Sequence, residues 1–157
     1  MRANHVVLKS EISEDPANSA GIGSSSIISF TIPGKPCAWE RSRHNGKIHF
    51  DSKKQVSNKG VIQMYASAAY RGEPIDTAII LSIRAFFYPS KKMLKKRPSI
   101  TDVEGICYTS YPDNDNICKL VQDALNGVIW ADDRRIADIH VYKRYSLRPR
   151  TEIIVEW

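Results

Sequence analysis

In the run Tyr111-Pro-Asp-Asn-Asp-Asn-Ile-Cys-Lys-Leu-Val-Gln-Asp-Ala-Leu-Asn-Gly-Val-Ile-Trp-Ala-Asp-Asp133, two carboxylates one residue apart precede a helical pattern, and two more lie just past its end. Carboxylate oxygens are the hard ligands that Mg2+ prefers. One or two such ions supply what phosphodiester hydrolysis needs, charge neutralisation on the phosphate and an activated water. Asp113 and Asp115 form the near pair, and Asp132 or Asp133 arrives from the far end of the same helix-loop unit. Lys119 stands four residues after Asp115 on the same helical face, where an ammonium can hold the scissile phosphate or offset charge on the leaving oxygen. For the two ends to meet around one site, the helix must be short, or another copy or segment must fold the loop back.

Each residue also has a plainer reading. Asp115 and Lys119 can form an ordinary i,i+4 ion pair worth about 0.3–0.5 kcal/mol. Asp113 can be a helix N-cap, and Asp132-Asp133 a polar turn ahead of a strand. Together these readings leave unexplained why four acids crowd one segment of a chain with net charge +6. Spacing by itself leaves both interpretations open.

The chain has 157 residues, 42% hydrophobic and 25% charged, enough for one compact domain and too few for two ordinary ones. A pI near 9.3 favours a polyanionic partner, of which nucleic acid is the commonest, although ribosomal and membrane-surface proteins share the bias. Cys37, Cys107 and Cys118 are odd in number, widely spaced and form no Cys-x-x-Cys pair, so they indicate neither a disulfide framework nor a thiolate zinc site. The apolar stretch after Met1 is too short for a signal peptide, and no later segment approaches bilayer-spanning length. A soluble, cytoplasmic protein with no membrane partner is expected.

The elements that must position the acidic cluster can be read along the chain. Residues 1–26 end in a small, polar stretch without apolar period and are expected to form a flexible leader, with the fold occupying 27–157. Ile27 to Ile32 reads as a strand stopped by Pro33-Gly-Lys-Pro36. Glu40 to Phe50 holds Asn45-Gly46, a strong hairpin signal, between basic flanks. Ser52 to Tyr70 reads as a helix whose apolar face is Val56, Val61, Met64, Tyr65, Ala68 and Ala69, with Gly72 and Pro74 beyond its end.

Ala78 to Tyr88, rich in β-branched and aromatic residues, is expected at the centre of the sheet. Lys91 to Arg97 can form one helical turn, as a solvated basic face or as a phosphate contact. A second helix is expected over Asn114 to Asn126, with Ile117, Leu120, Val121, Ala124, Leu125 and Val128 on one face and Gly127 as its stop. Val128, Ile129 and Trp130 are placed either in the core or across a two-fold axis. Arg135 to Tyr145 and Thr151 to Val155 read as two antiparallel strands joined around Pro149. The whole is a small single α+β domain with a mixed β-sheet packed against two main helices. His49 and His140 lack a partnered ligand spacing and read as structural.

The segment Pro112-Asp-Asn-Asp-Asn-Ile-Cys-Lys119, then Asp123-Ala-Leu-Asn-Gly127 and Trp130-Ala-Asp-Asp133, resembles the signature of the RusA family of Holliday-junction resolvases, which is a Pro-Asp-x-Asp-Asn-x-x-Lys helix followed by Asp-Ala-Leu-Asn and an acidic pair. The likeness is strong over 111–136 and looser over Ile27 to Tyr88. It implies a RusA-like fold, and a symmetric homodimer that cuts four-way DNA junctions by paired nicks with Mg2+ or Mn2+. Such resolvases act in recombination and repair, in a bacterium or its phage. Carried over residue by residue, Asp113, Asp115 and Asp133 become the metal-binding carboxylates and Lys119 the catalytic lysine. Asp133 matches the family aspartate better than Asp132 does. Asn114 stands where many members have an apolar residue.

Arg41, Arg43, His44 and Lys47 on the basic hairpin, with Lys53, Lys54 and Lys59 beyond it, suit contacts to the phosphates of junction arms. Two other readings stay open: an accessory branched-DNA-binding protein without catalysis, and a nuclease for other branched DNA. The first predicts salt-dependent binding with no metal-dependent scission.

Overall fold

The structure, a computed structural model, describes residues 26–40, 43–45, 48–50, 52–96, 99 and 103–157, with the backbone alone for 43–45 and 48–50. The expected leader therefore lies outside the described residues, apart from Ser26.

The order along the chain is β1 (Ile27–Pro33), β2 (Arg43–Asn45), β3 (Ile48–Phe50), α1 (Lys53–Ala69), β4 (Ile79–Phe87), α2 (Lys91–Lys96), α3 (Asn114–Leu125), β5 (Ile136–Tyr145) and β6 (Arg150–Glu156). A short 3-10 turn, Asp133–Arg135, leads into β5. The four long strands form one mixed sheet in the order β1-β6-β4-β5. β4 runs antiparallel to β6 and parallel to β5. This is an α+β fold.

β4 takes the central place its composition predicts, because Ile79, Leu81, Ile83, Ala85 and Phe87 are buried on one face and a strand with such a face is best stabilised with partners on both sides. The same centrality decides where the two C-terminal strands, expected as antiparallel strands joined around Pro149, find their partners. β4 is inserted between β5 and β6, so the two C-terminal strands run antiparallel without sharing a ladder. Residues 146–149 therefore cross to the far side of β4 instead of closing a hairpin.

α1 and α3 pack on the face that carries these buried β4 residues, together with Ile153 and Val155 of β6 and Phe30 of β1. α3 follows its sequence pattern: Ile117, Leu120, Val121, Ala124 and Leu125 are buried at helical spacing, and Gly127 at φ +75 ends it. α1 does not follow its pattern. Ser52 caps it by accepting a hydrogen bond from Gln55 N, but the buried stripe is Gln55, Ile62 and Ala66, while Val56 and Met64 are exposed. Ile62 and Ala66 supply the apolar contact of that stripe, and Gln55 is accommodated beside them because its Oε1 accepts a hydrogen bond from Glu40 N at 2.8 Å, although its Nε2 is buried without a partner among the described residues.

Val128, Ile129 and Trp130 fall into the core as well, with Ile129 and Trp130 fully buried, so they do not form an exposed patch for a partner. β2 and β3 form the expected hairpin, closed by the Asn45↔Ile48 pair. Its connecting residues 46–47 lie outside the described residues.

Candidate active site

The site begins at the start of α3. Asp113 occupies the N-cap position in extended conformation, yet its carboxylate makes no capping hydrogen bond. The N-cap reading of Asp113 therefore gives its place but not its role. Asp115, in the first turn, is exposed, and among the described residues neither carboxylate accepts a hydrogen bond or forms an ion pair. Both sit where the exposed amides of a helix start favour negative charge.

The i,i+4 ion pair between Asp115 and Lys119 does not form. Lys119 instead places its ammonium over the Trp39 ring, 4.0 Å from the centroid. A cation held this way gains about 0.5–1 kcal/mol at an exposed site. Trp39 is fixed in turn: its N–H donates to the Asn116 carbonyl at 2.8 Å, and Gln55 grips the next amide. The result is an open, polar cleft lined by Trp39, Glu40, Tyr111, Asp115, Asn116 and Lys119. It contains a carboxylate able to hold a cation and an ammonium able to meet a phosphate, held apart from each other. Burial first, and the Asp115 charge second, push the Cys118 thiol up, so it remains protonated at neutral pH beside the site.

The far acidic pair behaves differently. Asp132 Oδ1 accepts hydrogen bonds from both the backbone N–H and the Nε of Arg134, each at 2.9 Å. The Arg134 side chain, and then its backbone N–H, draw the Asp132 pKa down to about 2. Asp133 is exposed on the same turn. Arg135 pairs with Asp76 at 2.6 Å.

These two acidic sites are not adjacent. α3 has 12 residues, about 18 Å at 1.5 Å per residue. β5 then runs back with Lys143 reaching the Pro112 carbonyl at 2.7 Å, while Asp133 precedes the opposite end of that strand, about 23 Å from Lys143 at 3.3 Å per residue. Among the described residues, no three His, Cys, Asp or Glu side chains group closely enough to hold a metal ion. The structure thus brings Asp113, Asp115 and Lys119 to one helix start and leaves Asp133 elsewhere.

Of the basic residues expected to meet DNA, Arg41 and Lys47 lie outside the described residues, and Arg43 and His44 are described only as backbone in β2. Lys53 is exposed at the start of α1. Lys54 pairs with Glu40, and Lys59 with Asp123 at 3.3 Å. His140 pairs with Asp138 at 3.2 Å, in keeping with a structural role. Cys37, Cys107 and Cys118 are free thiols. No helix among the described residues is long and apolar enough to cross a membrane.

Reading of the sequence alone misses Trp39, Gln55 and Lys143. Trp39 follows a Pro-rich turn with no periodic partner, and Gln55 looks like any polar residue of a helix start. Only the contacts across more than 30 residues of chain give Lys143 a role.

The fold and site define a class, a small α+β protein whose helix start presents two unengaged carboxylates and a lysine one turn on. Residues 33–156 match the family Endodeoxyribonuclease RusA, and the chain belongs to that family. It is 35% identical over 135 residues to the uncharacterized protein YqaN of Bacillus subtilis (strain 168), a match covering 82% of this chain and 94% of that protein. Membership implies endodeoxyribonuclease activity.

Proposed function

We propose that this protein is a Mg2+-dependent, structure-specific endodeoxyribonuclease that resolves Holliday junctions by symmetric paired nicks, acting in the cytoplasm in DNA recombination and repair. The observation that carries this reading is the start of α3, where Asp113 and Asp115 have no partner among the described residues and Lys119 is held over Trp39 instead of neutralising them.

The donor set fits a hard divalent cation, since carboxylate oxygens are present and thiolates and paired imidazoles are not. Mg2+, or Mn2+ in its place, would supply charge neutralisation on the phosphate and activation of a water. Asp113 and Asp115 hold that cation. Lys119 points its ammonium at the phosphate and offsets charge on the leaving oxygen. Trp39 keeps Lys119 from collapsing onto Asp115, and Asp133 is the third carboxylate.

Because Asp133 lies at the other end of α3, a site that includes it draws on a second copy of the chain. A C2 dimer serves both needs: it presents two equivalent sites to a two-fold symmetric junction, and it can bring the turn 132–135 of one protomer to the helix start of the other. Arg41, Arg43, His44, Lys47, Lys53 and Lys54 contact phosphates of the junction arms, with Lys91, Lys92, Lys95 and Lys96 of α2 as a further exposed basic surface.

The experiment is cleavage of a labelled synthetic four-way junction beside a linear duplex of the same sequence, with Mg2+ and with EDTA. Paired nicks near the crossover, on the junction alone and with metal alone, are expected. Binding without cleavage under both conditions would replace this reading with an accessory DNA-binding role.

A further inference from the structure

Three successive carbonyls lead into Asp113, and each is held by a side chain. Lys143 Nζ donates to the Ser110 carbonyl at 2.9 Å and to the Pro112 carbonyl at 2.7 Å. Between them, the Tyr108 hydroxyl donates to the Tyr111 carbonyl at 2.7 Å. Both side chains belong to rigid surroundings. Lys143 is on β5, hydrogen-bonded along its length to the central strand β4. Tyr108 stacks on Phe87 of β4 with ring centroids 4.0 Å apart, meets Tyr145 edge-on, and donates its backbone N–H to the Lys143 carbonyl at 3.0 Å. Residues 105–108 continue this attachment: Gly105 N donates to Tyr145 O, and Tyr145 N to Ile106 O. The segment before α3 is thus fastened to the sheet up to the residue preceding the first carboxylate.

We propose that Lys143 is a positioning residue for the acidic site, fixing through the Ser110 and Pro112 carbonyls where Asp113 and Asp115 present their oxygens. The proposal rests on the reading of those aspartates as metal ligands. The geometry favours it over a DNA contact. An ammonium has three donors; two of those on Lys143 are engaged with carbonyls, and the group lies 5.5 Å from the Tyr108 ring centroid. Two converging carboxylates can hold a hard cation tightly only when their backbone is fixed before the ion arrives, because octahedral Mg2+ tolerates little error in ligand placement. An ammonium bound to the Ser110 and Pro112 carbonyls provides that fixity without adding a ligand, which is the task of groups outside the immediate coordination sphere.

The test compares the full-length wild type with Lys143→Met and Lys143→Arg by three measurements: Mn2+ binding by calorimetry without DNA, amide exchange at Ile117 and Cys118, and junction binding in EDTA. For Lys143→Met, Mn2+ binding is expected to weaken at least fivefold and exchange at the two amides to quicken about tenfold. Junction affinity in EDTA should stay within twofold, and Lys143→Arg should recover most of the loss. Unchanged Mn2+ binding in Lys143→Met overturns the proposal, as does a loss of junction affinity in EDTA larger than the loss of Mn2+ binding, which would make Lys143 a DNA contact.

Should Lys143→Met fail to fold, Tyr108→Phe decides, because it removes only the hydroxyl to Tyr111 and keeps the stacked ring. Mn2+ binding weakened two- to threefold supports the clamp, and unchanged binding overturns it. A wild type that binds no Mn2+ overturns it as well. A wild type that binds Mn2+ in a Lys143-dependent way but cuts no junction leaves the clamp standing and removes the proposed function.

Discussion

Two acidic pairs flank α3, and they differ in what their neighbours do. At the start, Asp113 and Asp115 stand next to the potential cap and the potential ion-pair partner that would satisfy them, and neither interaction forms. At the far end, Asp132 accepts two hydrogen bonds from Arg134 and holds its own turn together. The lesson is that acidic spacing alone does not make a binding site. Carboxylates become available to a cation when the surrounding structure keeps their local partners occupied elsewhere, and here Trp39 does so by taking Lys119.

The sharpest way to break this contrast is Asp115→Asn. Loss of a cation ligand is expected to keep fold and junction binding while lowering cleavage on the order of a thousandfold, equivalent to about 4 kcal/mol at the transition state. Single-turnover cleavage within tenfold of wild type would remove Asp115 from the site.

The far pair separates next. Asp133→Asn should lower cleavage on the order of a hundredfold, and Asp132→Asn only a few-fold, because Asp132 is engaged with Arg134. Mixing Asp115→Asn with Asp133→Asn protein then reports how the site is assembled. If one protomer supplies the helix start and the other supplies Asp133, each mixed dimer has one intact site, and nicking of a single strand returns. A mixture as inactive as its components places all the ligands within one chain.

Trp39→Leu tests why the near pair stays unengaged. Without the ring, Lys119 is free to fold onto Asp115, and cleavage should fall roughly 2- to 5-fold, the equivalent of an exposed cation–π contact of about 0.5–1 kcal/mol. Cleavage unchanged by this variant would show that Lys119 needs no such support.

The smallest effect is in acid. Asp132 titrates at about 2 in the folded protein, below the ordinary aspartate value of about 3.9. A lowered folded-state pKa means that its contribution is complete above pH of about 4 and is lost as pH falls toward 2. NMR titration of the Asp132 carboxyl carbon should show that low midpoint, and Arg134→Ala should return it toward the ordinary value. An ordinary midpoint in the unaltered protein would mean that the Arg134 contacts do not persist in solution.

Much of this architecture is legible in local pattern. α3 could be read almost residue by residue, since Ile117, Leu120, Val121, Ala124 and Leu125 repeat at 3.6-residue spacing and Gly127 supplies the left-handed stop. β4 announces its central place by its run of β-branched and aromatic residues. α1 misleads because most of its apolar residues do not mark its buried face: Val56, Val61 and Met64 are exposed, while Ile62, Ala66 and the polar Gln55, whose Oε1 accepts from Glu40 N 15 residues earlier, are buried. The separation of β5 from β6 was equally invisible, because strand order depends on which strand competes best for the centre of the sheet.

The sequence by itself determines the main elements, the α+β class and the chemical make-up of the candidate site: two aspartates at a helix start, a lysine one turn later and a second acidic pair past the end. These follow from short-range periodicity, capping chemistry and residue type, which act within a few residues of chain. Only the tertiary structure decides which of those groups are available and which of them meet. Trp39 over Lys119, Lys143 on the carbonyls before Asp113, and the distance between Asp113 and Asp133 all depend on contacts between segments far apart in the chain, and no local pattern specifies such contacts.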